Sequence, residues 1–416
     1  MNRNRVNKKR MGRARVLSRA AAGMLAAALC FQPMTALAGP AGDSSLTSSS
    51  SNAGPGGGSG SSNSGSTGSS GGSTSVSNGS VSAVTSGLGV YRVTENEGIG
   101  AIARGVDVSY WQQNVNWSQV ASDNVQFAML ATRFRGNVDP FFAMNAANAS
   151  QAGLRLGAYI YSYATSVEMA QQEADFVLNL IKDYPISFPV VFDAEDANTL
   201  GTLTQSQVSD VINAFCKRIQ DAGYYPMVYA NEYWIANKID MSKISYDIWV
   251  AKYQQKYTYS KTSMWQASNT GSVKGVNGNV DIDYLYKDYT QIIPGNTWRT
   301  IAGNRYYYQN HVMQKAAWIN DGQNWYYMNA AGNPSTGWLE LSGKKYYLEA
   351  DGHMITGWKT LDGGWRYFDA SGEQATGWRA VDGSWYFMAD NGLMQTGWLE
   401  TGGKKYYLNA SGAMQA

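Results

Sequence analysis

Six tryptophans recur every 20 residues near the end of this chain: Trp298, Trp318, Trp338, Trp358, Trp378 and Trp398. The last four each follow Thr-Gly, and an aromatic cluster such as RYYY, WYY or KKYY comes about eight residues after each of the six. A fixed period of this kind dictates a repeat architecture. Each unit reads as two short strands around a turn such as DGGW or SGKK. One hairpin cannot bury its aromatic face alone, whereas stacked neighbours can. Residues 294–416 are therefore expected to form an all-β hairpin-repeat solenoid of about six 20-residue units.

The other end reads as a processing segment. Eight Lys and Arg lie between Arg3 and Arg19 with no acid, followed by the apolar run AAAGMLAAALCF and the small-residue site TALAGP. This is the pattern of a secretory signal peptide, expected to span 1–38 with cleavage after Ala38. The apolar run is too short for a bilayer, which needs roughly 20 residues. Without the leader, 25 basic and 31 acidic residues remain, a net charge of −6. No basic stripe is left, so nucleic acid is not an expected partner, and no later segment could span a membrane. Residues 39–88 are dominated by Ser and Gly. They are expected to form a disordered linker, with a reach on the order of 40 Å. Cys216 alone survives processing and sits in a helix-periodic stretch, where it reads as a small buried hydrophobe.

Residues 89–293 read as the globular part. Apolar runs such as GVDVSY, VQFAMLATR, RLGAYIYSY, FPVVFDAED, YPMVYA and DIWVAKY alternate with helix-like stretches. One such stretch opens at Thr204 and stops at Gly223. The alternation argues α/β with a mainly parallel sheet. The length suits one barrel-like domain but is short for a full eight-fold barrel.

Chemistry can be narrowed by elimination. The two histidines, His311 and His353, lie in the repeats. A Ser-His-Asp triad, a Cys-His pair and a His-ligated zinc are not expected in the globular part, and neither is a cofactor or metal. Carboxylates remain. Asp193 and Glu195 close an apolar strand at i, i+2 spacing, which on an extended chain puts them on one side, about 6.6 Å apart at Cα. Like charges that close push one pKa up, leaving an acid and a charge as glycosidases use them. A bare DxE also fits a solvated acidic loop or a helix cap. Asp107, Asp281 and Asp283 sit at other strand ends, among Trp111, Tyr159, Tyr161, Tyr229, Trp249, Tyr253 and Trp265. Aromatic faces beside carboxylates suit sugar rings, although each aromatic singly also suits a core.

The ordered set GVDVSYWQQNVNW, Asp139-x-x-Phe142-x-x-Asn145, GAYIYSY, FDAED, YPMVYA, DIWVAKY, WQAS and VDIDYL resembles the glycoside hydrolase family 25 lysozymes over residues 103–290. The resemblance implies an irregular (β/α) TIM-like barrel and hydrolysis of the β-1,4 bond between N-acetylmuramic acid and N-acetylglucosamine. It also implies Glu195 as general acid, Asp193 orienting the substrate's 2-acetamido group, and Asp107 and Asp281 as supporting acids. Tyr159, Tyr161, Tyr229, Trp249, Tyr253, Trp265 and Asp283 are the expected substrate contacts. The chain departs from the family at Asp283, where Asn is usual, and at YIY, where YHF is usual.

The repeats resemble choline-binding and related wall-binding modules. A quaternary ammonium binds an aromatic cage by cation–π attraction. The resemblance builds that cage from the first Trp of a hairpin, a second Trp and a Tyr of the next repeat. The expected ligand residues are Trp318, Trp325, Trp338, Trp358, Trp365, Trp378, Trp385 and Trp398. Arg305, Lys345 and Lys405 replace the second Trp elsewhere, and a cation there repels a cation. Together these readings describe a secreted, wall-associated hydrolase of peptidoglycan, held by choline-bearing or other wall polysaccharide. The alternative is a non-catalytic wall- or glycan-binding surface protein.

Overall fold

The computed structural model describes residues 82–93, 98, 100–253 and 255–415. The expected leader 1–38 and residues 39–81 of the expected linker lie outside the described residues. The linker was expected to reach residue 88, but Ser82–Ser86 and Gly89–Val93 pair as an antiparallel hairpin. Leu88 packs into the barrel interior and Tyr91 is buried. The Ser/Gly composition of the preceding residues hid two short strands, SAVTS and GVYRV.

Eight strands close into a barrel: β1 Ala103–Val108, β2 Phe127–Ala131, β3 Arg155–Tyr161, β4 Ile186–Asp193, β5 Pro226–Asn231, β6 Asp247–Ala251, β7 Thr262–Gly271 and β8 Val280–Leu285. Their order around the barrel is β6-β7-β8-β1-β2-β3-β4-β5. β1 to β7 run parallel, while β8 is antiparallel to both its neighbours. Helices α1 Trp117–Ser122, α2 Phe142–Gln151, α3 Val167–Ile181, α4 Gln205–Asp221 and α5 Glu232–Asn237 follow β1 to β5 in turn. Among the described residues no α-helix follows β6 or β7. Dropping those helices is how a segment this short still closes eight strands.

Local chemistry sets the helix ends. Thr204 and Gln207 form a reciprocal capping box on α4, which buries Val208, Val211, Ile212, Phe215, Cys216 and Ile219 against the barrel. The stop at Gly223 has φ +88°, a conformation glycine adopts without strain. Strand parity sorts the rest. Phe127, Met129, Phe188, Val191, Met227, Trp249, Met264 and Leu285 fill the barrel interior. Gly105 on β1 makes room, because a Cβ there would lie 2.2 Å from the Phe127 ring.

Beyond the barrel come six hairpins, from Thr297–Ile301 with Asn304–Gln309 to Gly397–Thr401 with Lys404–Leu408. The aromatic period is also an interior period. Tyr308, Met328, Leu348, Phe368, Met388 and Leu408 stand 20 residues apart, and each is fully buried. The first hairpin is seated on the barrel itself. Arg299 is 1% exposed, with its guanidinium between the rings of Tyr224 at 3.9 Å and Tyr308 at 4.3 Å. Tyr308 Oη donates to the Lys182 carbonyl at 2.8 Å, and Lys315 pairs with Asp183 at 2.7 Å. The expected boundary at residue 293 thus falls inside one packed body.

Candidate active site

β1 to β7 end at one rim of the barrel. Because β8 runs backwards, its first residues reach that same rim, and Asp281 stands directly opposite Asp107. Tyr161 and Tyr229 flank Asp193 on β3 and β5. The result is a cleft of 410 Å³ lined by Asp107, Asp193, Glu195, Asp281, Tyr159, Tyr161, Tyr229, Trp249 and Tyr253, among others. Ten of the eleven catalytic and contact residues expected in the globular part are therefore inside or directly beneath one cleft.

β4 ends at Asp193, so Glu195 sits just beyond the strand. It is half-buried, and no described group hydrogen-bonds to it. Burial, then Asp281 and Asp196, push its carboxyl above the usual range. Burial, then the Glu195 charge, push Asp193 well up, and Asp193 Oδ1 is buried without a partner. Asp107 is raised by burial first, then by Asp281 and Asp283. Burial lifts Asp281 to about 6 against a hydrogen bond with Asp107. Asp196, by contrast, is lowered: hydrogen bonds from Thr199, Tyr161 and Asn198 outweigh its burial.

The hub of the cleft is a residue that sequence reasoning missed. Gln266 Nε2 donates to Asp107 Oδ2 at 2.7 Å and to Asp281 Oδ2 at 3.2 Å. Its Oε1 accepts from the hydroxyls of Tyr229 and Tyr253, both at 2.8 Å. All four hydrogen-bond positions it uses are directed at cleft groups, so one amide fixes two carboxyls and two phenols. Trp265 was expected in the cleft instead. It lies outside the barrel, donating to the Lys252 carbonyl and packing on Tyr257 and Tyr284. Period-two alternation allows only one of Trp265 and Gln266 to face inward, and Met264 is already interior.

Asp283 also departs from its expected place. It does not line the cleft but lies fully buried one layer below, accepting from Trp249 Nε1 at 3.0 Å. Burial, then Asp281, push its pKa well up, and its Oδ2 is buried without a partner. A raised pKa favours the neutral carboxyl, which is the form that costs least to bury there.

The outer rim adds further residues absent from the expected set. After β2 a two-stranded ribbon, Arg133–Phe134 with Asn137–Val138, leans over the cleft. Arg133 is neutralised by Glu173 at 2.6 Å and lies 4.7 Å over Tyr163. Asp139 accepts from the backbone N–H of Tyr110 at 2.7 Å and of Phe141 at 2.8 Å, tying the ribbon to the loop that carries Trp111.

In the repeats, Trp358 meets Trp365 and the next hairpin's Tyr386 at ring distances of 6.4 and 4.8 Å. Trp378 meets Trp385 and Tyr406 at 6.5 and 4.8 Å. Trp318 meets Tyr346 at 5.0 Å, and Trp325 holds the same register position as Trp365 and Trp385. Two other cages are filled by the chain itself. Arg305 lies 4.1 Å over Trp298, and Arg366 lies 5.0 Å over Trp338. Arg366 stands where the other repeats carry Tyr, hydrogen-bonded to the Asn391 carbonyl and paired with Asp362. Trp338 is thus not free to serve as a ligand residue in the way expected. Among the described residues, Trp398, 76% exposed, has only Tyr407 of its own hairpin as a ring partner.

The family model of glycosyl hydrolases family 25 matches residues 106–276. A protein of Escherichia coli strain K12, YegX, is 31% identical over 189 residues, 43% of this chain and 68% of that protein. This chain belongs to glycosyl hydrolase family 25. Another relative is lysozyme M1 of Streptomyces globisporus, 30% identical over 195 residues, 43% of this chain and 66% of that protein. The chain spans about two thirds of the length of both curated relatives. Choline-binding repeats match residues 335–376 and 375–416, and a cell wall binding repeat matches 317–333. Among solved structures, the multimodular pneumococcal cell wall endolysin from phage Cp-1 complexed with choline is 22% identical with a TM-score of 0.37. That likeness covers 75% of this family 25 chain and 94% of the endolysin.

Proposed function

We propose that this chain is a secreted, wall-associated muramidase. It cuts the β-1,4 bond between N-acetylmuramic acid and N-acetylglucosamine in peptidoglycan. The observation that carries the reading is the pairing of Glu195 and Asp193 at one barrel rim, with Glu195 unengaged and both carboxyls pushed toward the protonated state. Glu195 gives its proton to the glycosidic oxygen as the bond to C1 breaks. The substrate's own acetamido oxygen attacks C1, and Asp193 holds the acetamido N–H. Glu195, now a carboxylate, takes a proton from the water that opens the intermediate, which restores the acid. Asp107 and Asp281, locked by Gln266, set the field around this pair. The name of the 30% identical relative, lysozyme M1, supports the same bond class.

The repeats hold a quaternary ammonium such as choline in three cages: Trp318 with Trp325 and Tyr346, Trp358 with Trp365 and Tyr386, and Trp378 with Trp385 and Tyr406. In the last two, the leading Trp meets both the second Trp and the next hairpin's Tyr, and among the described residues no cation lies over the leading Trp of any of the three.

Mass spectrometry of digested Gram-positive peptidoglycan tests the reading. New reducing-end N-acetylmuramic acid that disappears with Glu195→Gln is the expected result. Reducing-end N-acetylglucosamine or freed peptides would mean another bond is cut. Wall binding without any product would favour the glycan-binding alternative.

A further inference from the structure

The rim above the cleft holds a cation that the catalytic reading does not use. Arg133 is neutralised by Glu173, but its neighbour Arg135 is exposed, and the one described partner of its guanidinium is the Phe134 ring at 5.1 Å. Arg135 and Gly136 form the ribbon's two-residue turn with φ of +49° and +81°, so the guanidinium is presented by a tight, defined turn. It lines the same cleft as Asp107, Asp193, Glu195 and Asp281. A ligand bearing negative charge would meet four carboxyls there, and Arg135 is the cation among the lining residues that no carboxylate compensates.

The rim beside it is aromatic and pre-set. Phe134 stacks on Tyr110 at 4.1 Å, and Trp111 stands edge-on to both rings at 5.6 and 5.7 Å. Trp111 is 67% exposed, although it is a large apolar ring at the mouth of a polar cleft. Its loop is fixed by the Ser109–Gln112 capping box and by Asp139. An indole face held open in this way costs hydration in the free protein and regains it when an apolar ring face covers it.

We propose that Trp111 and Arg135 form a rim subsite for a carboxylate-bearing sugar unit. Trp111 takes the C–H face of the ring, and Arg135 pairs with the carboxylate. This rests on the peptidoglycan reading above and deepens it. Two carboxylates on such a polymer share this chemistry: the lactyl carboxylate of a peptide-free muramic acid, and the carboxylates of an attached peptide. Arg135 is a specificity-determining residue here, with no part in bond breaking.

Steady-state kinetics on three soluble glycans test it, with Glu195→Gln as the inactive control. One glycan carries free lactyl carboxylates, one has the same carboxyls capped as methyl amides, and one carries stem peptides. Arg135→Gln is expected to raise KM about three- to fivefold at low salt, the upper range for an exposed ion pair, with kcat unchanged. The rise is confined to carboxylate-bearing glycans and fades as salt is added. A rise on the free-lactyl glycan assigns the lactyl carboxylate, and one on the peptide-bearing glycan alone assigns the peptide. Trp111→Ala is expected to raise KM about three- to tenfold on all three. An equal rise with Arg135→Gln on the capped glycan, or none on any, overturns the carboxylate assignment. An unchanged KM with Trp111→Ala overturns the ring assignment. If wild-type protein cleaves none of the three faster than Glu195→Gln, the muramidase reading itself fails.

Discussion

Replacing Arg299 with alanine tests whether the first hairpin is part of the barrel. Its guanidinium is buried between two tyrosine faces, one from the barrel and one from the hairpin. A desolvated cation–π contact contributes up to about 2 kcal/mol. Two such contacts are partly offset by burying a guanidinium whose Nε and Nη1 have no partner. Truncation also leaves a cavity. The expected loss is about 3 kcal/mol, or roughly 6–12 °C in Tm for a body of this size. Arg299→Met keeps the stem packing and removes the charge, so its loss should stay near 1 kcal/mol or below. Calorimetric melts of the full chain measure both. A companion pair of deletions locates the effect. Removing 294–416 should destabilise the barrel, whereas removing 317–416 should leave its melting unchanged. If Arg299→Ala melts within about 1 °C of the parent and both deletions melt alike, the hairpin is merely adjacent. Activity on whole walls against soluble glycan is then best compared with the shorter deletion, which should lose far more on walls.

Other outcomes follow from the cleft and the cages. Gln266→Leu strips a buried donor pair from Asp107 and Asp281 and an acceptor from two phenols. With one or two groups left unpaired, kcat is expected to fall about 100-fold in assays on soluble glycan. Asp281, at about 6 when folded and near 3.9 when unfolded, binds more protons in the folded state across that window. Its contribution to stability is present below about pH 4 and is lost as pH rises to about 6. Asp281→Asn should therefore be more stable than the parent at pH 7, by up to about 3 kcal/mol, with the gap closing at pH 4 in urea melts. Equilibrium dialysis with choline should find three sites. Lys345→Trp combined with Arg366→Tyr should add a fourth at Trp338, and an unchanged count would show that the arginine does not plug that cage.

Much of this architecture could be read from residues alone, and the misses have physical causes. The 20-residue period marked both the tryptophans and the buried column from Tyr308 to Leu408. Asp107, Asp193 and Glu195 could be located from the sequence because they stand at or just past the ends of apolar strands, whereas Asp281 reaches the rim by opening the reversed β8. The direction of β8 was readable in principle: residues 272–279 are too few for a parallel crossover, which needs a dozen or more. Parity misled at Trp265, where an aromatic was preferred over the glutamine beside it. The role of Gln266 depends on four partners from four strands or loops, and no local pattern announces that. Arg366 was legible as the one non-tyrosine in its column, but its seat over Trp338 was not. The hairpin at Ser82–Val93 was masked by the composition of what precedes it.

The seating of Arg299 has a bearing on motion. A barrel joined to its first hairpin by buried rings cannot swivel on the anchor as a tethered head would. Once the cages are engaged, the cleft meets the wall at a set height and angle, so each anchoring event offers it only a narrow arc of strands. Moving on to fresh glycan would then require the cages to let go and grip again. Their off-rate, as much as bond cleavage, would set how fast a wall is opened.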